Sequence, residues 1–444
     1  MSTLSRITSQ IQSSFQSFYQ RSSSAGIVIL SFTVIALIWT NTALHSSYEA
    51  FLHQPINLKL FSLHLEFSLE HFVNDGLMVL FFLVVGLEIK RELLIGELSS
   101  ARKAALPAIA AVAGMIFPGL IFMLFNHGTP DARGWGVPVA TDIAFALGIL
   151  ALLGKRVPIG LKVFLAALAI IDDLFAVLII AIFYTGALNL TALTAAAVIL
   201  VLLWGLNKSG SNNLGLYGIL GVCLWIAILF SGIHATIAGV LLALTIPATA
   251  RIDIPAFTKR GKMLLRSIDD KIEQNEDKGE QLDHIASLKQ MCTDSNSVLH
   301  RLEHGLQPFV TFGIMPLFAL VNAGVVFNTA VVDSLLHPVG LGIILGLFVG
   351  KQLGVSVAVW LSVRFKIAEL PNLVSMKHIY GVSILCGIGF TMALFVAHLA
   401  FPAGESLDVA KLSVMAGSTA SALVGSFVLR WFLKTGNGKG AQTA

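Results

Sequence analysis

Apolar residues run along this chain in long blocks rather than at the three-and-four spacing of an amphipathic helix. Polar or basic junctions delimit twelve such blocks, at 25–44, 70–89, 104–125, 136–153, 158–184, 188–206, 214–230, 233–248, 306–327, 339–362, 378–400 and 408–432. A helix needs ~20 apolar residues to cross the hydrocarbon layer, and most blocks approach that length. The fourth, seventh, eighth and eleventh are short or interrupted. After the first block the period changes. In Asn57-Leu-Lys-Leu-Phe-Ser-Leu-His-Leu-Glu-Phe-Ser-Leu69 apolar residues nearly alternate, with a break at Phe61-Ser62. That is the pattern of a β-hairpin. A two-stranded hairpin is marginal alone, so it either lies on its own bundle or pairs with a second subunit. Residues 1–24 are Ser/Gln-rich and carry Arg6 and Arg21. The block after them ends without a small-residue cleavage site, so it reads as a first membrane helix rather than a signal peptide.

Composition strengthens this reading. Of 444 residues, 56% are hydrophobic and 12% charged, with a mean hydropathy of +0.82. A soluble domain carries ~25% charged residues, so a soluble enzyme and a nucleic-acid-binding protein are both excluded as the main reading. A net charge of +4 adds nothing toward nucleic acid. Cys223, Cys292 and Cys386 are too widely spaced to imply a disulfide framework or a thiolate metal site. Charge is concentrated in one stretch. Nine of the 29 Lys/Arg and ten of the 25 Asp/Glu lie between Arg251 and Glu303. We read 249–305 as a solvated loop with short amphipathic helices, between spans at 25–248 and 306–432, with a tail at 433–444. With twelve spans, 24 Lys/Arg fall on one side and three (Lys59, Arg133, Lys411) on the other. Basic residues accumulate on the cytoplasmic side, so both termini and the long loop are expected there.

The chemistry lies in ionisable residues inside apolar blocks. Each costs ~2.5–3.5 kcal/mol at mid-bilayer on insertion scales, which makes it a functional candidate. Asp172 and Asp173 sit in the middle of the fifth block, in Ala-Leu-Ala-Ile-Ile-Asp-Asp-Leu-Phe-Ala-Val. Helix neighbours point about 100° apart, so one can face a cavity while the other meets a buried cation. Two adjacent buried carboxylates cannot both ionise cheaply. Such a pair holds a proton that a metal cation can displace. Asp142 and Thr141 follow Pro138, which interrupts a helix. The eleventh block has a matching weakness in Cys386-Gly-Ile-Gly-Phe-Thr391. Interrupted spans at corresponding places in two halves point to a midplane transport site. Lys351 lies mid-span and needs a counter-ion, either Asp173 or exposed helix carbonyl ends. Asn74-Asp75 reads as a polar element near the mouth of the second span. Glu88, Lys90, Arg91 and Glu92 cluster at its other end, as an interface anchor or a sensor. His234 is a structural or sensing histidine.

Six runs now resemble one family. They are Gly86-Leu-Glu-Ile-Lys-Arg-Glu-Leu-Leu94, Pro138-Val-Ala-Thr-Asp-Ile-Ala-Phe-Ala-Leu147, the Ile-Ile-Asp-Asp-Leu run, Ser231-Gly-Ile-His-Ala-Thr-Ile-Ala-Gly239, Pro316-Leu-Phe-Ala-Leu-Val-Asn-Ala-Gly324 and Cys386-Gly-Ile-Gly-Phe-Thr-Met392. Together, in this order and with Lys351 in place, they resemble the NhaA family of bacterial sodium/proton antiporters from about residue 25 to 432. The broken-helix rule was framed partly on this family, so it is not independent support.

The resemblance implies an all-α membrane protein of twelve helices with a small exterior hairpin. Spans three to five and ten to twelve would form inverted repeats, and interrupted spans four and eleven would cross at the midplane. Asp173 would be the main ion-binding carboxylate, with Asp172 beside it and able to carry a proton. Thr141 would lie in the site. Asp142 and Lys351 would offset helix-end charges, with Lys351 able to pair with Asp172. Glu88, Arg91, Glu303 and His304 would form the cytoplasmic pH-sensing region, and His234 would lie near the exterior end. The hairpin at 57–69 would join two protomers into a homodimer. The implied cargo is Na+ (or Li+) against H+, with no cofactor and no nucleic acid, across the bilayer of a bacterial inner membrane. Two departures stand out. The loop before span nine is longer and more charged than expected, and Gln307 stands where some members carry a histidine. The alternative is a sodium-coupled symporter of an organic solute on the same design.

Overall fold

The computed structural model describes residues 22–60, 63–249, 254–273, 278–327 and 334–435. The order is α1 (Ser22–Thr40), α2 (His45–Leu52), β1 (Pro55–Leu60), β2 (Leu63–Ser68), α3 (Leu69–Ile95), α4 (Ala101–Asn126), a 3-10 stretch (Pro130–Val139) leading into α5 (Ile143–Leu152), α6 (Ile159–Phe183), α7 (Leu190–Lys208), α8 (Leu214–Leu229) and α9 (Ile237–Thr245). Then follow α10 (Ile254–Glu273), α11 (Lys278–Asp294), α12 (Val298–Asn322), α13 (Pro338–Arg364), α14 (Met376–Leu385), α15 (Phe390–Ala400) and α16 (Glu405–Thr435). Polar caps set where several helices start. Asn189 accepts from the Thr191 amide at 3.1 Å, Asn213 from Gly215 at 2.9 Å, and Ser297 from His300 at 3.1 Å. Each satisfies an amide that the first helical turn leaves unpaired.

Among the described residues, eight helices are long and apolar enough to cross a membrane, or ten if two bent pairs each count as one span. The expected twelve blocks therefore need adjustment. The first block ends at Thr40, because α2 turns off by 119°. The seventh is the 16-residue α8, and the eighth contains only the nine-residue α9. The ninth begins earlier than expected, at Val298, so the end of the charged segment belongs to a span. The rest of that segment carries α10 and α11. Large apolar side chains stay exposed on the outer helices, among them Val198, Val201, Ile219 and Phe427. Such a surface suits lipid and not water.

The hairpin forms as expected, antiparallel, with Pro55 opposite Ser68 and Asn57 opposite Glu66. Phe67 packs on Phe72 of α3 and Trp225 of α8.

The interior is built on α4, α6 and α13. A Cβ at Gly350 would lie 2.7 Å from the Pro118 Cα, so α13 approaches the α4 backbone only because this residue has no side chain. Gly350→Val is expected to cost about 1–3 kcal/mol through overpacking. A lower thermal midpoint in detergent would show it, and an unchanged midpoint would contradict the close contact.

Candidate functional site

Two interruptions meet in the bundle interior. Residues 140–142, between the 3-10 stretch and α5, are not helical, nor are residues 386–389 between α14 and α15. Their backbones would be costly to bury unpaired in a membrane. They satisfy each other instead. The Asp142 amide donates to the Ile388 carbonyl at 2.7 Å. The Asp142 carboxylate accepts the Phe145 amide at 3.1 Å, the Thr391 amide at 3.2 Å and the Thr391 hydroxyl. One acid thus serves the first turns of both α5 and α15, where helix N-termini favour negative charge. Thr141 Oγ1 lies 2.9 Å from the Cys386 carbonyl and 2.8 Å from Asp172 Oδ2. A Cβ at Gly387 would collide with the Leu347 carbonyl, so the second break needs glycine there.

Asp172 and Asp173, adjacent on α6, have different surroundings. Asp172 is 2% exposed, and its Oδ2 accepts Lys351 Nζ at 2.6 Å. Lys351 is wholly buried, and a π-helical turn at Gly346–Gly350 precedes it. Such a turn shifts the helical phase and recurs at functional sites. Among the described residues, Asp172 is the only ion-pair partner of Lys351, and the other carboxylate oxygen of Asp172 has no partner. Asp173 makes no hydrogen bond or ion pair among the described residues. It lines a cavity of about 510 Å³ between α1, α3, α5, α6, α12 and α15. The cavity runs from Gln307 and Pro308, about two-fifths of the way along α12, to Asp142 and Asp173, with Glu88 and Thr311 on its wall.

Three of the five residues singled out as sensors lie together. Arg91 pairs with Glu303 and also reaches Glu92 at 3.1 Å and Glu88 at 3.8 Å. Glu303 is buried, and its second oxygen has no partner among the described residues. His304 does not join them. It is exposed and stands 4.2 Å from His300, ring to ring. His234 lies at the hairpin end, with Nε2 3.2 Å from Asp75 and Nδ1 2.8 Å from Thr236. His71 holds the other Asp75 oxygen at 2.8 Å. Sequence reasoning missed His71 as a site residue, since a lone histidine beside the hairpin carries no pattern of its own. Thr391, which follows the glycine break as Thr141 follows Pro138, is bound to Asp142. Removing Arg91 strands a buried acid, so Arg91→Ala is expected to destabilise the chain by about 3–5 kcal/mol. Thermal unfolding in detergent checks this, and Arg91→Lys should retain part of the loss.

A family model described as Na+/H+ antiporter 1 matches residues 16–429. The chain belongs to that family. Relatives named Na(+)/H(+) antiporter NhaA match most of its length. One from Koribacter versatilis is 47% identical over 418 residues, covering 94% of this chain and 91% of its own. One from Aeromonas salmonicida is 46% identical over 424 residues, covering 94% and 96%. One from Shewanella frigidimarina is 44% identical over 423 residues, covering 94% and 96%. A solved sodium proton antiporter from Methanocaldococcus jannaschii is 14% identical with a TM-score of 0.44, over 94% of this chain and 92% of its own. That likeness is too distant to add to the argument. Membership of the Na+/H+ antiporter 1 family and the membrane-length helices identify a multi-pass bacterial membrane protein of a transporter family.

Proposed function

We propose that this chain is a sodium (or lithium)/proton antiporter that carries the metal cation out of the cytoplasm against external protons. The observation that carries the reading is the division between two neighbouring acids. Asp172 is held by Lys351 and Thr141, while Asp173 lines the cavity with no partner among the described residues. An unpaired carboxylate in an apolar interior binds either a proton or a cation, and one excludes the other. Carboxylates and carbonyls are the hard oxygen ligands alkali ions take. Among the described residues the charged groups lining the cavity are Asp142, Asp173 and Glu88, all acids, which favours a cation over an organic anion.

The cycle is alternating access around this one site. Protons from outside load the acids, and the loaded site turns inward. Cytoplasmic sodium then displaces the protons and is carried out. Asp173 gives up one proton, and the Asp172–Lys351 pair supplies the second. Two protons per cation move one net charge inward, worth ~2.3 kcal/mol per 100 mV.

In this reading the span count is twelve, with α8 and α9 as short spans. The two interrupted spans cross at the midplane within inverted repeats, and the end bearing Arg91 is cytoplasmic in the inner membrane. The charge bias of the loops supports that orientation. The exterior hairpin joins two copies into a dimer, a role supported by the marginal stability of an isolated pair of strands.

Proton movement in inside-out vesicles with an acidified interior tests the proposal. Sodium or lithium should release internal protons, and choline should not. Silence toward every cation, from protein shown to be folded, would reject exchange. A response that needs an added organic solute would favour the symporter.

A further inference from the structure

One layer of the bundle has no role in the cycle as described. The inner wall of the cavity includes Val85 of α3, Met315 of α12 and Met392 of α15. Three residues further toward the hairpin end, on each of the same helices, stand Phe82, Phe318 and Phe395. They are 2%, 0% and 1% exposed. Phe395 packs against both others, with ring centroids 5.3 Å from Phe82 and 6.1 Å from Phe318. The next layer outward is polar again. Asn74 and Asn322 exchange two amide hydrogen bonds, at 3.1 and 2.9 Å, and Asp75 pairs with His234. The His234 ring meets Phe395 edge-on at 5.5 Å.

We propose that Phe82, Phe318 and Phe395 form the barrier that separates the ion site from the exterior, and that Phe395 is its moving part. The proposal rests on the antiporter reading and adds the place where the outer path is closed. A single close-packed aromatic layer suffices, because a dry apolar constriction excludes both ions and water. On either side of it lie groups that water can reach or replace: the acid-lined cavity within, and the asparagine pair and the Asp75–His234 pair without.

Phe395 has the means to move. It lies on α15, a helix of 11 residues that starts at a break. The same helix carries Thr391, bound to Asp142, and Met392, on the cavity wall. A shift of this one short rigid element changes the cavity and the barrier together. Phe82 and Phe318 sit inside longer helices and form the fixed seat. These three are positioning residues, since none touches the cargo.

Side-specific thiol labelling tests the barrier. Met315→Cys places a thiol on the cavity wall, in a chain with Cys223→Ser and Cys292→Ser. The same chain without Met315→Cys corrects for Cys386. The probe is a charged, membrane-impermeant methanethiosulfonate applied to right-side-out vesicles. With Phe395 intact, labelling from outside should be slow. Phe395→Ala should raise its rate about tenfold or more, and Phe395→Leu, which keeps the layer apolar, should raise it far less. Phe82→Ala repeats the test from the seat should Phe395→Ala fail to fold. Outside labelling that does not change in a folded alanine variant overturns the barrier. Sodium-dependent proton movement by the unaltered chain is measured in parallel. Its absence would remove the antiporter reading, whereas exchange with unchanged labelling would remove only the barrier.

Discussion

Asp173→Asn should abolish sodium-driven proton movement and leave the folded bundle intact. Asparagine keeps the shape of the side chain and removes both the negative charge and the exchangeable proton. Nothing structural depends on that charge, since Asp173 has no hydrogen-bond or ion-pair partner among the described residues and faces the cavity. Losing a buried unpaired charge costs a fold little. Asp172 does not substitute, because it is held by Lys351 and Thr141 and is not among the residues lining the cavity. Vesicle exchange and thermal unfolding should therefore separate completely, with the first lost and the second within error of the parent. Exchange that survives in Asp173→Asn would move the cargo site elsewhere. The same competition sets a pH dependence. While Asp173 is mostly protonated, removing protons frees it for sodium. The apparent sodium KM should then fall about tenfold per unit rise in pH for each proton displaced, and level off once the site is deprotonated.

Lys351→Ala should destabilise the bundle strongly. The lysine is wholly buried and is the only charged partner of Asp172 among the described residues. Removing one member of a buried pair leaves the other charge without compensation, at a cost of about 3–5 kcal/mol. Asp172→Asn strands the lysine and should cost a similar amount. The double variant Asp172→Asn with Lys351→Gln has two neutral amides in hydrogen-bond reach and should recover much of the loss. A double-mutant cycle on thermal unfolding, completed by Lys351→Gln alone, isolates the pair from the general cost of substitution. Additive losses would mean that the contact contributes no coupling.

Parts of this arrangement are legible in the sequence because they depend on local chemistry. Pro138 and the Gly387/Gly389 pair mark the two interruptions, since each residue type acts on its own backbone. The hairpin shows in its alternation. The sequence also requires Asp172 and Asp173 to face different ways, because the helix repeat dictates it. Which acid faces the cavity is decided by how α6 packs against α3, α4 and α5, and no residue near the pair records that. His304 and His234 illustrate the same limit. Both are histidines at the end of an apolar block, yet one is exposed beside His300 and the other pairs with Asp75. The aromatic layer is less visible still. Its three members are among 29 phenylalanines, each inside an apolar run where any large hydrophobic residue would fit the pattern. The 119° turn after α1 also has no proline at its corner, residues 41–44.

The mutual bonding of the two interruptions constrains how this chain can change over generations. Asp142 donates to the backbone of the opposite break and accepts from its first helical turn, and Thr141 leans on the Cys386 carbonyl. A substitution that straightens one break withdraws partners from the other, some 245 residues away along the chain. The first change is then harmful alone and tolerable only after the second. Positions 138–142 and 386–391 should accordingly behave as a single heritable unit. Libraries randomised at both stretches should return working combinations absent from the product of the two single-stretch libraries.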